Sequence, residues 1–355
     1  MIATAKAPGK LYLAGEYSIT LPNQSAIIVA IDKYITATID KIDVQEIQLN
    51  SDQLGDLAIP VEQLDQISYP DDWQLVIRTI QVLNKYHFDD TSAFPGIKVT
   101  LTSDLTFEGK KLGLGSSAAV VMSIIKAFHK LLNLKLTEQQ QFKLGALVML
   151  TLPHFDKGSM GDLAAATYGG VIAYRKFDDQ FVKQLIQQNS DYETIISTPW
   201  PYLDVQQLNW PSEWQLLVGW TGKVADTQKL LETVSSAEQV KAKEMLALQT
   251  RDIITNISMG INNADYSLIG INIFYNLTFL MTYTHQVGIN YLTEDLSNAI
   301  SEAVDLDVAA KVSGAGGGDN AIAIADNDEV AEKLRQAWQN EGIIPLPLNI
   351  ALLGE

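Results

Sequence analysis

The chain has 355 residues, 47% of them apolar, enough for a substantial core and for more than one folding unit. A formal charge of -17 argues against a nucleic-acid partner, and the absence of cysteine removes disulfides, thiolate metal sites and thiol nucleophiles. No run approaches the ~18 apolar residues of a membrane span, and the first residues lack a signal peptide's apolar core, so a soluble cytoplasmic protein with no membrane partner is expected.

Residues 1 to about 40 predict two or three short strands: Leu11 to Ala14, Ala26 to Ile31, and the alternation Ile35, Ala37, Ile39. A polar stretch follows, then a helix from Trp73 to Tyr86 and a strand from Ile97 to Leu101. From Ser116 the sequence AAVVMSIIKAFHKLL is too long for a strand and nearly apolar all round, which predicts a buried helix. Further helices are expected at 139–150 and 163–167, and a strand at Gly169 to Tyr174. The polar segment Gln180 to Pro211 carries Pro199, Pro201 and Pro211 and reads as an inter-domain passage, with domains at 1–190 and 191–355. Beyond it come a strand at Gln215 to Trp220, helices near 226–256 and 267–287, a strand at Ala321 to Ala325 and a helix at Glu329 to Glu341.

Four clusters carry chemistry. Glu108 to Ala119, EGKKLGLGSSAA, runs from a loop into the buried helix. Gly113 and Gly115 allow close backbone approach, Ser116 and Ser117 offer hydroxyls and possible caps, and the first helical amides point the positive dipole end outward. That is a phosphate-chain cradle, although a glycine turn with a serine cap is the plain alternative. Neither a Walker A sequence nor the protein-kinase motif set occurs. Ser313 to Asp319, SGAGGGD, lies between an expected helical stretch and the strand AIAIA, with more glycine than a turn needs. Gly158 to Ala166, GSMGDLAAA, opens a short helix, and Asp162 is there either an N-cap or an acceptor-side carboxylate. In Lys6 to Tyr17, KAPGKLYLAGEY, Lys10 is either a surface lysine or a counter-ion for an anion. The histidines at 87, 129, 154 and 285 show no metal-ligand spacing.

In this order, PGKLYLAGEY, KKLGLGSSAA, GSMGDLAAA and SGAGGGD closely resemble the motifs of the GHMP kinase family, over Lys6 to Asp319. The resemblance implies an α+β, two-domain GHMP kinase fold, with a left-handed βαβ unit in the N-terminal domain, a ferredoxin-like C-terminal domain, and ATP and acceptor in the cleft between them. Within the family, Gly15–Glu16–Tyr17, the lysine pair before the glycine loop and GSMGDLAA look like the bacterial branch that phosphorylates 5-phosphomevalonate to the diphosphate, in the mevalonate route to isopentenyl diphosphate. Mevalonate kinases, which have G-E-H at Gly15–Tyr17, are the alternative, as is a non-catalytic metabolite sensor on the same fold.

The mechanism implied by the resemblance has the amides of Gly113, Leu114, Gly115, Ser116, Ser117 and Ala118, with Lys110, holding the nucleotide phosphates, and Ser117 on Mg²⁺. Lys10 and Asp162 orient and neutralise the acceptor, while Tyr17, Lys111, Ser159, Ser313, Gly314, Ala315 and Gly316 contact it. Where mevalonate kinases place a glutamate metal ligand this chain has Thr151, so no carboxylate is assigned to the metal. A monomer or homodimer is expected.

Overall fold

The computed structural model describes residues 1–66, 70–88, 93–107, 109–188, 190–223 and 237–352. Its centre is a long antiparallel pair. Strand β1 (Ile2–Ala14) runs along most of β2 (Ser25–Lys41), from Ile2 opposite Asp40 to Ala14 opposite Ile27. The runs that the sequence shows as separate strands at 26–31 and 35–39 are one strand: both are rich in β-branched residues, and β1 pairs with both, with a register shift at Pro8/Gly9 opposite the polar link Asp32–Tyr34. Around this pair the sheet adds β3 (Glu46–Ser51), β4 (Gly55–Pro60), β5 (Ile97–Ser103), β8 (Val171–Arg175) and β9 (Asp204–Leu208), in the order β4-β3-β5-β2-β8-β9. Pairing is antiparallel except between β3 and β5, which are connected through helix α1 (Gln74–His87). Two short strands, β6 (Thr106–Phe107) and β7 (Lys110–Lys111), form a small hairpin just before the glycine loop.

The buried helix expected after Ser116 is α2 (Ser116–Leu131), packed on β1 and β2 and against α1, α3 (Glu138–Leu150) and α4 (Gly161–Tyr168). Ten of its side chains are buried, so its axis, and with it the direction in which its first amides point, is fixed by packing on several sides. Thr137 and Gln140 form a reciprocal capping box at the start of α3, which sets its first turn.

The expected inter-domain passage folds onto the first unit instead. Residues after 178 form α5 (Asp179–Gln187) and α6 (Tyr192–Ser197), and β9 then pairs with β8, so the first sheet continues past the 190/191 division. The second sheet joins β10 (Gln215–Trp220), β11 (Ala309–Ser313), β12 (Asn320–Ala325) and β13 (Ile344–Leu346) in the antiparallel order β11-β12-β10-β13. With helices α7 (Ala237–Asn262), α8 (Tyr266–Val287) and α9 (Glu294–Val304) before β11, and α10 (Asp328–Asn340) before β13, this is a β-α-β-β-α-β arrangement of ferredoxin-like order. The part of the helix expected near 226–256 that precedes Ala237 lies outside the described residues. The chain then returns to the first sheet, where Ala351 donates to the carbonyl of Ala30 at 2.9 Å.

Candidate active site

β1 and α2 build the site together. Side chains alternate along a strand, so Lys10 and Tyr12 share a face, with the Lys10 ammonium 5.3 Å from the centre of the Tyr12 ring. The backbone of Lys10 donates to the Leu114 carbonyl at 2.9 Å, which ties the glycine loop to the strand. Gly113 and Gly115 take φ of +71° and +79°, where a side chain is strained. There is no room for one either. A Cβ at Gly113 would stand 2.5 Å from the Asp319 carboxyl carbon, and one at Gly115 would be 3.1 Å from Lys10 Cε and 3.4 Å from Asp162 Cβ. Lys10 and Asp162 therefore converge on Gly115, at the mouth of α2.

The serines do not cap this helix. Gly115 is the N-cap and no side chain bonds the first turn, so the amides of the first helical residues are left for an anion, reinforced by the helix dipole. Asp162 is not a cap either: Met160, in the left-handed region, is the N-cap of α4, and Asp162 is its second residue. No hydrogen bond or ion pair holds the Asp162 carboxylate among the described residues, so it remains available to a ligand.

The SGAGGGD loop is preceded by strand β11 rather than a helix and connects β11 to β12. It reaches the first sheet through a buried polar cluster. Lys311, fully buried, donates to Glu16 Oε1, and the Gly314 amide donates to the same oxygen at 3.3 Å. The Lys311 ammonium also donates to the Val312 carbonyl at 2.5 Å. Burial lowers the Lys311 pKa and the Glu16 carboxylate opposes that shift. The Tyr17 hydroxyl donates to the Ala315 carbonyl at 2.5 Å, and its ring lies 5.2 Å from that of Tyr283, whose own phenol is pushed up to about 12 by burial. Ser313 Oγ accepts from the Tyr12 amide at 2.9 Å.

One cavity of about 340 Å³ collects these groups. Its lining includes Lys10, Tyr17, Lys111, the loop from Gly113 to Ala118, Ser159, Asp162, Ser313, Gly314 and Ala315. Two expected residues are placed elsewhere. Lys110 is exposed and donates to the Gly222 carbonyl at 3.4 Å, outside the lining. Gly316 packs on Tyr291, where a Cβ would be 2.3 Å from a ring carbon. The Ser159 hydroxyl is engaged with the Tyr12 phenol at 2.8 Å and accepts from the Gly161 amide at 3.2 Å. Burial, with Asp162 second, holds the Tyr12 pKa well above its ordinary value, so this phenol stays neutral. Glu108 of the motif lies outside the described residues.

His154 and Lys176 bear on the site although no motif pointed to them. His154 lines the cavity although its spacing to other histidines carried no signal. Lys176, buried, donates to the carbonyls of Thr20 at 2.8 Å and Gly158 at 3.0 Å, bracing two lining segments. Thr151, at the position of the mevalonate kinase glutamate, caps α3 with its hydroxyl on the Leu147 carbonyl and accepts from Arg78 Nε at 2.9 Å. The described residues hold no group of three or more His, Asp or Glu suited to a metal, and no described helix is long and apolar enough to cross a membrane.

Comparison with known proteins gives this geometry a family. The GHMP kinases N-terminal domain matches residues 74–170 and the GHMP kinases C-terminal domain matches 260–344. A phosphomevalonate kinase from Streptomyces sp. (strain CL190) is 33% identical over 98% of this chain and 97% of its own. Among solved structures, the Lin0012 protein from Listeria innocua is similar with a TM-score of 0.90 and 30% identity, covering 98% of each chain. Streptococcus pneumoniae phosphomevalonate kinase, in complex with phosphomevalonate and AMPPNP, is similar with a TM-score of 0.86 and 26% identity, covering 98% of this chain and 99% of that one. The chain belongs to the GHMP kinase family and has its two-domain fold.

Proposed function

We propose that this chain phosphorylates (R)-5-phosphomevalonate with ATP, giving (R)-5-diphosphomevalonate and ADP, as a cytoplasmic enzyme of the mevalonate route. The observation that carries the kinase chemistry is the meeting of Lys10 and Asp162 at Gly115, in front of the uncapped N-terminus of α2 and inside one cavity. Likeness along the whole chain to phosphomevalonate kinases supports the choice of acceptor.

The amides from Gly113 to Ala118 hold the nucleotide phosphates, and Lys10 neutralises charge between the acceptor and the γ-phosphoryl group. A phosphate acceptor is mostly ionised near neutral pH, its second pKa being about 6, so Asp162 positions it and strong base catalysis is unnecessary. An acceptor oxygen attacks the γ-phosphorus in line, a new P–O bond forms, the bond to the β–γ bridging oxygen breaks, and ADP leaves. Lys111, Gly314 and Ala315 line the cavity as contacts for the acceptor's anionic ends.

Mg²⁺ fits the donors present. With the Asp162 carboxylate and two serine hydroxyls in the same lining as the phosphate cradle, the ion would be held by Ser117, Asp162 and phosphate oxygens, as suits a cation that keeps few protein ligands. When bound it shields the charge developing on the phosphates. We place the division between the two units after Leu208, because β9 completes the first sheet.

The test is turnover of purified protein with ATP and either 5-phosphomevalonate or mevalonate. ADP release with 5-phosphomevalonate supports the reading, turnover with mevalonate alone replaces it with mevalonate kinase, and binding without turnover identifies a sensor.

A further inference from the structure

A second cavity, of about 280 Å³, lies where the first sheet meets α7. Asn23, Gln24 and Ser25 at the start of β2 and Arg175 at the end of β8 form one wall, and Thr250, Arg251 and their neighbours on α7 form the other. The two units therefore share it. No carboxylate and no lysine lines it, in a chain with 42 acidic residues and a net charge of -17. The chain has four arginines among its 25 basic residues; two of them stand here, and none lines the catalytic cavity.

The donors of this cavity are underused. Arg251 makes one protein contact, a long 3.5 Å bond from Nε to Gln24 Oε1, and has no carboxylate partner among the described residues. Because a guanidinium can only donate, that contact turns the oxygen of the Gln24 amide toward Arg251. The amide's Nε2, on a residue only 8% exposed, is left without a partner among the described residues. Arg175 Nε donates to the Tyr202 carbonyl at 2.9 Å, and its Nη2 stands 3.7 Å from Asp204, a pair exposed enough on both sides to contribute little. Two guanidinium groups and one buried amide thus have N–H groups to spare. Burial and Lys176, the residue after Arg175, push the pKa of Lys243, seven positions before Thr250 on α7, down to about 8, so further cations crowd the same seam.

These are the donors that a phosphate group needs. A guanidinium presents paired N–H groups that match two phosphate oxygens, which an ammonium does not, so a pair of arginines in a chain rich in lysine marks a grip on an oxyanion. The volume is at the small end of ligand pockets, with room for a phosphate or diphosphate on a short carbon chain and too little for a nucleotide. We propose that this cavity binds a small phosphate-bearing anion, gripped by Arg175 from the first unit and Arg251 from the second, with Gln24 Nε2 donating a further bond. Helix α7 also packs on Ser18–Thr20, and Thr20 lines the catalytic cavity, so the anion links the two units beside the active site.

The test uses the wild-type chain saturated with ADP, so that the phosphate cradle of the catalytic cavity is filled. Modification by phenylglyoxal, mapped by mass spectrometry, is expected to slow about fivefold at Arg175 and Arg251 when pyrophosphate is added in excess of its Kd, and to be unchanged at Arg335 on α10, outside the lining. Glycerol 3-phosphate in place of pyrophosphate separates the two ends the site could take: protection by both assigns it to any phosphate end, protection by pyrophosphate alone to a diphosphate. In calorimetry on the same complex, Arg251→Gln is expected to weaken pyrophosphate binding about tenfold with ADP affinity unchanged, and Arg251→Lys to recover only part of that loss. The protection experiment needs no variant, so it decides even if Arg251→Gln folds poorly. Protection by neither anion, equal protection of Arg335, or a pyrophosphate affinity that Arg251→Gln leaves unchanged would overturn the proposal.

Discussion

The molecule has two glycine-rich loops at one cavity, and they are glycine-rich for different reasons. The loop at Gly113 to Gly115 leads into a helix whose first amides nothing in the protein caps, and its glycines remove the bulk that would strike Asp319, Lys10 and Asp162. The loop at Ser313 to Gly318 connects two strands and is held from the other unit, by Glu16 on Lys311 and Gly314 and by Tyr17 on Ala315. One loop is open to an anion; the other is strapped in place beside it. Composition alone makes them look alike, and only their flanking elements separate an anion cradle from a braced wall.

The largest expected effect breaks the strap. Lys311→Met leaves the Glu16 carboxylate buried without its cation and should cost ~3–5 kcal/mol in urea unfolding. Glu16→Gln together with Lys311→Met should restore much of that stability, and failure to do so would mean that the pair is incidental. Next is the chemical step. Asp162→Asn should lower kcat about 100-fold or more while leaving ATP affinity within about threefold; an equal loss in both would make Asp162 part of the loop's structure. The loops themselves should then separate. Gly115→Ala forces a side chain into the left-handed region at ~1–2 kcal/mol and crowds Lys10, so ATP binding should weaken about tenfold. Gly316→Ala strikes Tyr291 and should raise the acceptor KM more than the ATP KM. Reversal of those two effects would exchange the roles of the loops.

The smallest effect concerns the rear of α2. Lys126 donates to the Ala166 carbonyl at 2.6 Å, and burial lowers its pKa from 10.5 to about 8, with Glu138 opposing and Lys130 adding to the shift. Between about pH 8 and 10.5 the unfolded chain binds the extra proton, so the contribution of Lys126 to stability rises with pH across that window. Below pH 8 the penalty for charging it is fully present. Measured against Lys126→Met, the wild-type chain should gain in relative stability from pH 7.5 to pH 10, and a flat difference would contradict the shift.

What was legible in the sequence follows from the range of each constraint. The glycine loop and the buried helix could be read because a left-handed turn and a run of apolar residues are local requirements, met within a few positions. Strands β3 and β4 were not legible: EIQLNS and GDLAIP mix polar residues with short apolar alternation, β3 is made a strand by pairing with β5, beyond helix α1, and β4 by pairing with β3. The first half of β1 contains Pro8 and Gly9 and became strand through its pairing with β2. Glu16 and Lys311 stand 295 positions apart, so no spacing rule could join them. Lys110 and Lys111 illustrate the reverse. They are neighbours in sequence, yet on a strand neighbours point to opposite sides, and only Lys111 lines the cavity.

The most direct test of the whole account is a competition in one vessel, with ATP and equal amounts of 5-phosphomevalonate and mevalonate, and products resolved by ³¹P NMR. The account predicts a diphosphate doublet pair from 5-phosphomevalonate and consumption of that acceptor first. Formation of a monophosphate from mevalonate while 5-phosphomevalonate remains untouched would contradict it.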